Sequence, residues 1–508
     1  LGFISLFFNF FIPLSKFFNT FYFFFVALIS FFIFTKFKRK ELLKNLFLII
    51  LVSVVSAILI FKSNIFRPDA GLYHLPYTKI LNEEKIIIGL TNLHFRFGHV
   101  SILQYINSLN NNYINNEIGI LLPISILVST FIFFLFFEIK KTNDSKDIFF
   151  QLFLILVLFF SISSLERYSD YGNDAAGYIF SILIIIYFFK FQNLDDKESF
   201  DKFSLLVLFS FFIFLNKSFL ILFLFFPFVY FKINFFLSII KNKIIIFSLF
   251  FVALWFVKNI FVSGCIIYPS VPTCLDLLWS NLEDTKYYEI SGEAASKGYL
   301  DLSKNEILLN QISTEQFSKN FNWLEIWFEN NFFKILEKIL PLIIFLLCIF
   351  SYKLFQQKEN NNKISNKYYY LFFFSILGSI VWFLKFPLYR YGNTYLFLLI
   401  TSSFIISFYI FKFKIFSKKE VQFMVSLFLI IFMFLNFNRI VRNYSLNSDF
   451  PNIYNMGKNI NYKKRILNEG YYYLADSECL YGKNLCTHLE VSTDLVKKFG
   501  YKIFFKVN

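Results

Sequence analysis

Twelve stretches of this chain are apolar and are long enough, or nearly so, to cross the roughly 30 Å hydrocarbon core of a bilayer, a distance that takes about 20 residues of α-helix. They lie at 17–37, 44–62, 117–138, 148–165, 175–191, 203–216, 217–233, 243–263, 332–352, 367–385, 391–411 and 419–437. Backbone inside hydrocarbon has no water to satisfy its N–H and C=O groups, so such runs fold as helices. The expected fold is an all-α polytopic integral membrane protein with about twelve spans. The runs 203–216 and 217–233 are split only by Asn216-Lys217-Ser218, so one of them is expected to be tilted, broken or re-entrant. The first run, Leu1 to Pro13, is too short to span. With no Met at its head and no charged region before it, the N-terminus reads as truncated or unusually initiated, not as a signal peptide.

The composition excludes a soluble domain with a polar surface: 57% of residues are hydrophobic, 17% are charged and the mean hydropathy is +0.57. Phe is so overused, at 81 residues, that its runs carry little information. Clusters of Gly, His, Arg, Asp, Trp and Pro carry more. Lysine and arginine gather around 36–44, 140–146, 190–202, 232–243, 353–367 and 412–419, all on one side if the spans alternate. By the positive-inside rule that side is cytoplasmic. The net charge of +16 is then a matter of topology, and no nucleic-acid partner is called for. The domain reading is a membrane domain, 1–437, followed by a small extracytoplasmic tail, 438–508. The large outer loops are 63–116 and 264–331, and the outer turns are 165–174, around Lys217, and 385–393.

Cys265 and Cys274 share an outer loop, and Cys479 and Cys486 share the tail. Both pairs are disulfide candidates on an oxidising face, and neither has the C-x2-C spacing of a zinc site. No Walker-type loop, G-x-S-x-G or H-E-x-x-H occurs, which argues against nucleotide-driven work and the familiar hydrolases.

The first outer loop, "FRPDAGLYHLPYTKILNEEKIIIGLTNLHFRFGHVS" (Phe66 to Ser101), holds three of the four histidines. Asp69 follows a membrane run almost at once, so its carboxylate is expected at the membrane surface. Partial desolvation there raises a carboxyl pKa and suits it to general-base work. The same Asp would equally open an interfacial helix and cap its free N–H groups. Tyr73 to Lys85 reads as such a helix, with Leu75, Ile80 and Leu81 towards lipid and Lys79, Glu83, Glu84 and Lys85 towards water. His74, His94 and His99 match no helical metal-ligand spacing, so hydrogen bonding to phosphate or to loop backbone is the reading. A divalent metal is compatible but not indicated. Arg96, between Phe95 and Phe97, suits a bidentate grip on a lipid-linked phosphate, or snorkelling at the interface. Lys258 and Arg390 carry the same two alternatives. Glu166, Asp170 and Asp174 recur every four residues, which places three carboxylates on one helical face. "DYGND" reads alternatively as a turn with Asp174 as N-cap. Asp170 is the candidate second acidic group.

An Asp just after a membrane run, the "D-x-x-x-Y-H" pattern, interfacial helices and a dozen spans resemble the GT-C class of polytopic glycosyltransferases. The resemblance implies a GT-C-like fold and transfer of a sugar from a polyprenyl-phosphate carrier on the outer face, with Asp69 as the acceptor's base. The chain departs from the class in having Asp69-Ala70 where better-known members carry an Asp-Glu pair. More closely, "YHLPYTKILNEEKIIIGLTNLHFRFGHVS", "WFVKNIFVSGCIIYP" and "SECLYGKNLCT" resemble an uncharacterised family of bacterial polytopic membrane proteins. Its relatives share a "GL-x-NLH-x-RFG" core, have Arg-Asn where this chain has Lys258-Asn259, and carry a terminal Cys pair.

The resulting expectation is an inverting glycosyltransferase of the bacterial plasma membrane, active on its extracytoplasmic face in cell-surface glycan assembly. Its catalytic candidates are Asp69 and Asp170, and its phosphate-binding candidates are His74, His94, Arg96, His99, Lys258 and Arg390. The implied partners are the lipid bilayer, a polyprenyl-phosphate-linked sugar and a glycan or lipid acceptor. A polysaccharide polymerase or ligase would use the same donor chemistry. A lipid-linked glycan transporter would place ionisable groups near mid-span and often shows internal repeats; the runs are nearly free of charge and no repeat is apparent. A structural scaffold would leave the clustered His, Arg and Asp unexplained.

Overall fold

The computed structural model describes residues 1–36, 39–63, 68–142, 148–163, 171–172, 174–190, 196–230, 236–299, 313–319, 321–355, 364–413, 416–446 and 460–507, without the side chains of 33–49, 148, 196–199, 236–237 and 443–446. The chain is mostly helical, and the described part of each of the twelve apolar runs falls on a helix. Five described helices are long and apolar enough to cross a membrane: Asn116–Thr142, Lys243–Ser263, Asn366–Lys385, Tyr389–Ile410 and Lys418–Arg442. The run 217–233 is instead a 3-10 segment, Ser218–Tyr230, kinked at Leu220 and containing Pro227. Proline removes a backbone donor and a 3-10 ladder is geometrically poorer, so a regular α-helix is interrupted here. Ile148–Ser163 lies at the centre of the bundle, with Leu152 to Leu158 completely buried. An apolar surface all round is what a helix enclosed on every side requires.

The loops that the alternation of spans assigns to one side are joined by direct contacts. Lys217 bonds Asp174 at 2.6 Å and the carbonyl of Arg390 at 2.8 Å. Trp327 donates its indole N–H to the carbonyl of Pro387, and Lys385 meets Glu293. The lysine-rich ends pair among themselves: Lys190 with Glu138, Lys353 with Glu420, and Lys367 with the carbonyl of Phe188.

The tail corrects the all-α expectation. The last helix runs past residue 437 to Leu446, and residues 462–506 form strands: β1 (Tyr462–Leu467), β2 (Gly470–Ala475), β3 (Cys486–Thr487), β4 (Thr493–Lys498) and β5 (Tyr501–Lys506). β1 and β2 pair antiparallel, β2 and β3 pair parallel, and β4–β5 is a separate antiparallel hairpin. The physical reason lies in two short runs of β-favouring residues on either side of two-residue connections, Asn468-Glu469 and Phe499-Gly500. Phe499 and Gly500 both have positive φ, 52° and 75°, as a type I′ turn requires. Long apolar runs carry no information about such a segment.

The interfacial-helix expectation is corrected as well. Leu75–Glu83 is a helix, but Leu75, Ile80 and Leu81 are buried in protein, not turned to lipid. The short helix Gly2–Asn9, the Ile102–Leu109 helix and the tail enclose it: Asn82 bonds the carbonyls of Leu14 and Ser108, and Tyr481 donates to Asn82. Phe504 and Leu495 of the tail are also buried in this second core, each contributing about 1.5–3 kcal/mol relative to exposure in water.

Candidate functional site

Asp69 directly precedes a single π turn, Ala70–His74, which leads into the Leu75–Glu83 helix. Its two carboxylate oxygens are taken by two guanidiniums. Arg96 reaches Oδ1 at 2.5 Å and Arg390 reaches Oδ2 at 3.2 Å. Arg96 belongs to the 3-10 turn Phe95–His99, and Arg390 to the first turn of the Tyr389–Ile410 helix. All three side chains keep about a third of their surface accessible. Burial alone would raise the Asp69 carboxyl, but Arg96, Arg390 and then His74 outweigh it and hold the carboxyl below its ordinary value. Asp69 is therefore an anion in a clamp. Tyr73 lies beneath the Arg96 guanidinium, 5.2 Å from ring centre to charge, and its phenol is raised by burial and by Asp69.

The histidines divide. His74 is buried, and its Nδ1 lies 2.5 Å from the Gln104 amide nitrogen. Gln104 Oε1 is already accepting from the Ser101 N–H and hydroxyl, so the amide N–H faces His74 and donates to Nδ1. Burial pushes this imidazole down to about 4. His94, also buried, accepts the Arg96 backbone N–H at Nδ1 and so caps the turn that presents Arg96. Burial, with His488 and Arg96, pushes it down to about 3. Both lie behind the site and hold its geometry: His94 makes the loop-backbone hydrogen bond that is one of the two readings of these rings, and His74 bonds a side chain. His99 remains accessible while its ring packs on Tyr268, 5.2 Å between centres.

Lys258 lies apart from the Asp69 cluster. It is wholly buried in the Lys243–Ser263 helix, bonded to Asn259 Oδ1 at 3.0 Å and lying over the Trp255 ring at 4.1 Å. It makes no contact with Asp69. Asp170 lies outside the described residues. Asp174 opens the Asp174–Lys190 helix and pairs with Lys217.

The acidic residue that sequence reasoning missed is Glu478. A Cβ on Gly71 would lie 2.0 Å from Glu478 Oε2 and 2.6 Å from Leu480 Cδ2, so the tail packs directly on the turn that follows Asp69. Burial and the Asp69 charge raise the Glu478 carboxyl. Nothing in sequence spacing links positions 69 and 478; the only signal was the neighbouring cysteine. Both expected disulfides are present, Cys265–Cys274 and Cys479–Cys486, and the second closes the loop that carries Glu478's neighbours.

The three quoted motifs converge. Gly89 donates to Phe261, Thr91 to Val262, and Asn92 to the carbonyls of Trp279 and Phe504. Gly98 packs on the Tyr268 ring, and the His94 and His488 rings lie 5.0 Å apart. Among the described residues, no group of three or more His, Cys, Asp or Glu is placed to hold a metal ion.

A family model described as a domain of unknown function, DUF8201, matches residues 1–397. The chain belongs to the DUF8201 family. The match takes in Asp69, Arg96 and Arg390 and stops before the tail that supplies Glu478. No curated protein and no solved structure matches the chain.

Proposed function

We propose that this DUF8201 protein is a GT-C-like membrane glycosyltransferase with about twelve membrane-crossing segments. It moves a sugar from a polyprenyl-phosphate donor to an acceptor on the extracytoplasmic face of a bacterial plasma membrane. The observation that carries the reading is one accessible carboxylate held between two arginines, 27 and 321 residues away in sequence, at the end of the bundle where the loops meet. Two guanidiniums on one carboxylate are an anion-binding pair occupied by the protein's own anion.

The chemistry follows from competition. The donor phosphodiester matches Asp69 in charge and becomes a dianion as the lipid phosphate leaves, and each guanidinium has five N–H donors to share between the two. As phosphate draws Arg96 and Arg390 away, Asp69 loses the charges that hold its pKa down and becomes more basic when the donor is seated. Asp69 then takes the acceptor hydroxyl proton. The acceptor oxygen bonds to the anomeric carbon as the bond from that carbon to the phosphate oxygen breaks; the leaving lipid phosphate keeps the electron pair on that oxygen, and the arginines stabilise the added charge. A single displacement inverts the anomeric centre. Glu478 is the second carboxylate this reading uses, in place to orient the acceptor.

The test compares cell-surface glycans of wild type and Asp69→Asn by mass spectrometry, because the amide keeps the shape and removes the basicity. Transfer should be lost with the protein still expressed and helical. Unchanged glycans would refute the assignment, and loss of polymer length with retained single units would point to a polymerase.

A further inference from the structure

The C-terminal hairpin ends in an arrangement that the site does not use. Phe499, at the tip of the β4–β5 turn, is 98% exposed. Lys497 and Lys498 precede it, both exposed, and Lys502 follows on β5. Lysines on either side of a presented aromatic are the composition of a segment that dips into a headgroup layer.

Position along the bundle agrees. Tyr501 donates its hydroxyl to the carbonyl of Phe10 at 2.9 Å, and the Phe10 ring lies 5.7 Å from Phe261. Phe261 is in the last turn of the Lys243–Ser263 helix, which stops at Gly264. The hairpin tip is thus tied to the level at which a membrane-crossing helix ends. At the same level the turn after the Gly2–Asn9 helix presents Phe11 and Ile12, and Phe17 follows, all exposed. Beside Phe499 a cleft of about 190 Å³ is lined by Glu84, Lys85, Ile86, Ile87, Lys497, Gly500, Tyr501 and Lys502. Lys85 stacks on Tyr501, 4.0 Å from the ring centre, and Lys502 is paired with Glu84. Lys85 and Lys497 leave the cleft with positive charge for an anion.

We propose that the β4–β5 hairpin is a lipid-docking element: Phe499 enters the headgroup–acyl boundary while Lys85 and Lys497 of the adjoining cleft seat the phosphate of an anionic phospholipid. The inference rests on the membrane placement in the proposed function. It makes the tail, which lies outside the DUF8201 match, a second contact with the bilayer, so that lipid holds the unit carrying Glu478 against Asp69.

The test is spin-label depth measurement on the full-length protein in bilayers of phosphatidylcholine with or without phosphatidylglycerol. The free cysteine Cys348 is first replaced by Ser, and single labels are placed through Phe499→Cys, Glu490→Cys and Phe250→Cys. Glu490 is exposed on the tail, and Phe250 is exposed on the Lys243–Ser263 helix. The expected result is a label at 499 that oxygen reaches better than a water-soluble nickel chelate, more so with phosphatidylglycerol, while the label at 490 behaves as aqueous. Lys497→Glu with Lys498→Glu should abolish the dependence on phosphatidylglycerol. A label at 499 as accessible to nickel as that at 490, with 250 in lipid, overturns the docking proposal alone. An aqueous label at 250 overturns the membrane placement and the docking with it. Depth at 499 that ignores lipid charge overturns the anionic cleft.

Discussion

The backbone N–H of Leu480 donates to the carbonyl of Gly71 across 2.9 Å, fastening a strand-forming tail to the turn that presents Asp69. Beside this bond Glu478 fills the space that a side chain at position 71 would need.

Gly71→Ala is therefore expected to act on the site while leaving the fold largely intact. The atoms it meets are the far ends of Glu478 and Leu480, which swing away at a cost of about 1–3 kcal/mol or less. Gly89→Ala is the contrast. Its φ is +66°, and a Cβ there would lie 2.0 Å from the Phe504 carbonyl oxygen, a backbone atom that cannot swing. It should cost more than the roughly 1–2 kcal/mol of the left-handed conformation alone. Thermal unfolding should rank Gly89→Ala well below Gly71→Ala, with hydrogen exchange at 70–74 raised in the latter. Equal melting temperatures would contradict this.

Acid should destabilise the loop region between pH 6.5 and 4. His74 and His94 are pushed by burial from 6.5 down to about 4 and about 3. Below 6.5 the unfolded chain takes up protons that the folded chain refuses. Stability present above 6.5 is thus lost as pH falls towards the folded values, by on the order of 3 kcal/mol per histidine. Asp69 has a lowered folded pKa, so its contribution is present above 3.8 and is lost only at still lower pH. His74→Asn and His94→Asn keep an acceptor for Gln104 and for the Arg96 N–H. Each should flatten the stability–pH slope in this window, measured by denaturant unfolding at stepped pH.

Arg390→Gln should lower transfer by roughly 100-fold with expression unchanged, because it removes one of the two charges offered to the leaving phosphate. Arg96→Gln should act alike, and the double variant should lose less than the product of the two if they hold one phosphate. The readout is glycan transfer by membranes carrying each variant.

Lys258→Met should leave stability unchanged or raise it. A wholly buried amine with one side-chain acceptor and an aromatic face is expensive to desolvate, and Met fills a similar volume without charge. A large loss of melting temperature would mean that the charge is needed inside the helix.

The sequence by itself determined the helices, because a run of apolar residues in hydrocarbon has one way to satisfy its backbone. Among the described residues five helices are long and apolar enough to cross a membrane, and their apolar runs were legible for that reason. It also determined the cysteine pairs, close in chain and alone in their loops, and the singling out of Asp69, Arg96 and Arg390, whose residue types the composition does not favour. Tertiary structure alone decided which of these meet. Arg390 reaches Asp69 and Lys258 does not, although both are basic and near helix ends, because the first lies at an accessible helix start and the second faces a Trp inside its bundle. His74 and His94 became buried supports, and Leu75, Ile80 and Leu81 turned into protein, because the N-terminal segment, the Ile102–Leu109 helix and the tail together cover this region. Glu478 was invisible beforehand for the same cause: a contact made across some 400 residues by a docked β unit leaves no periodicity or spacing to read.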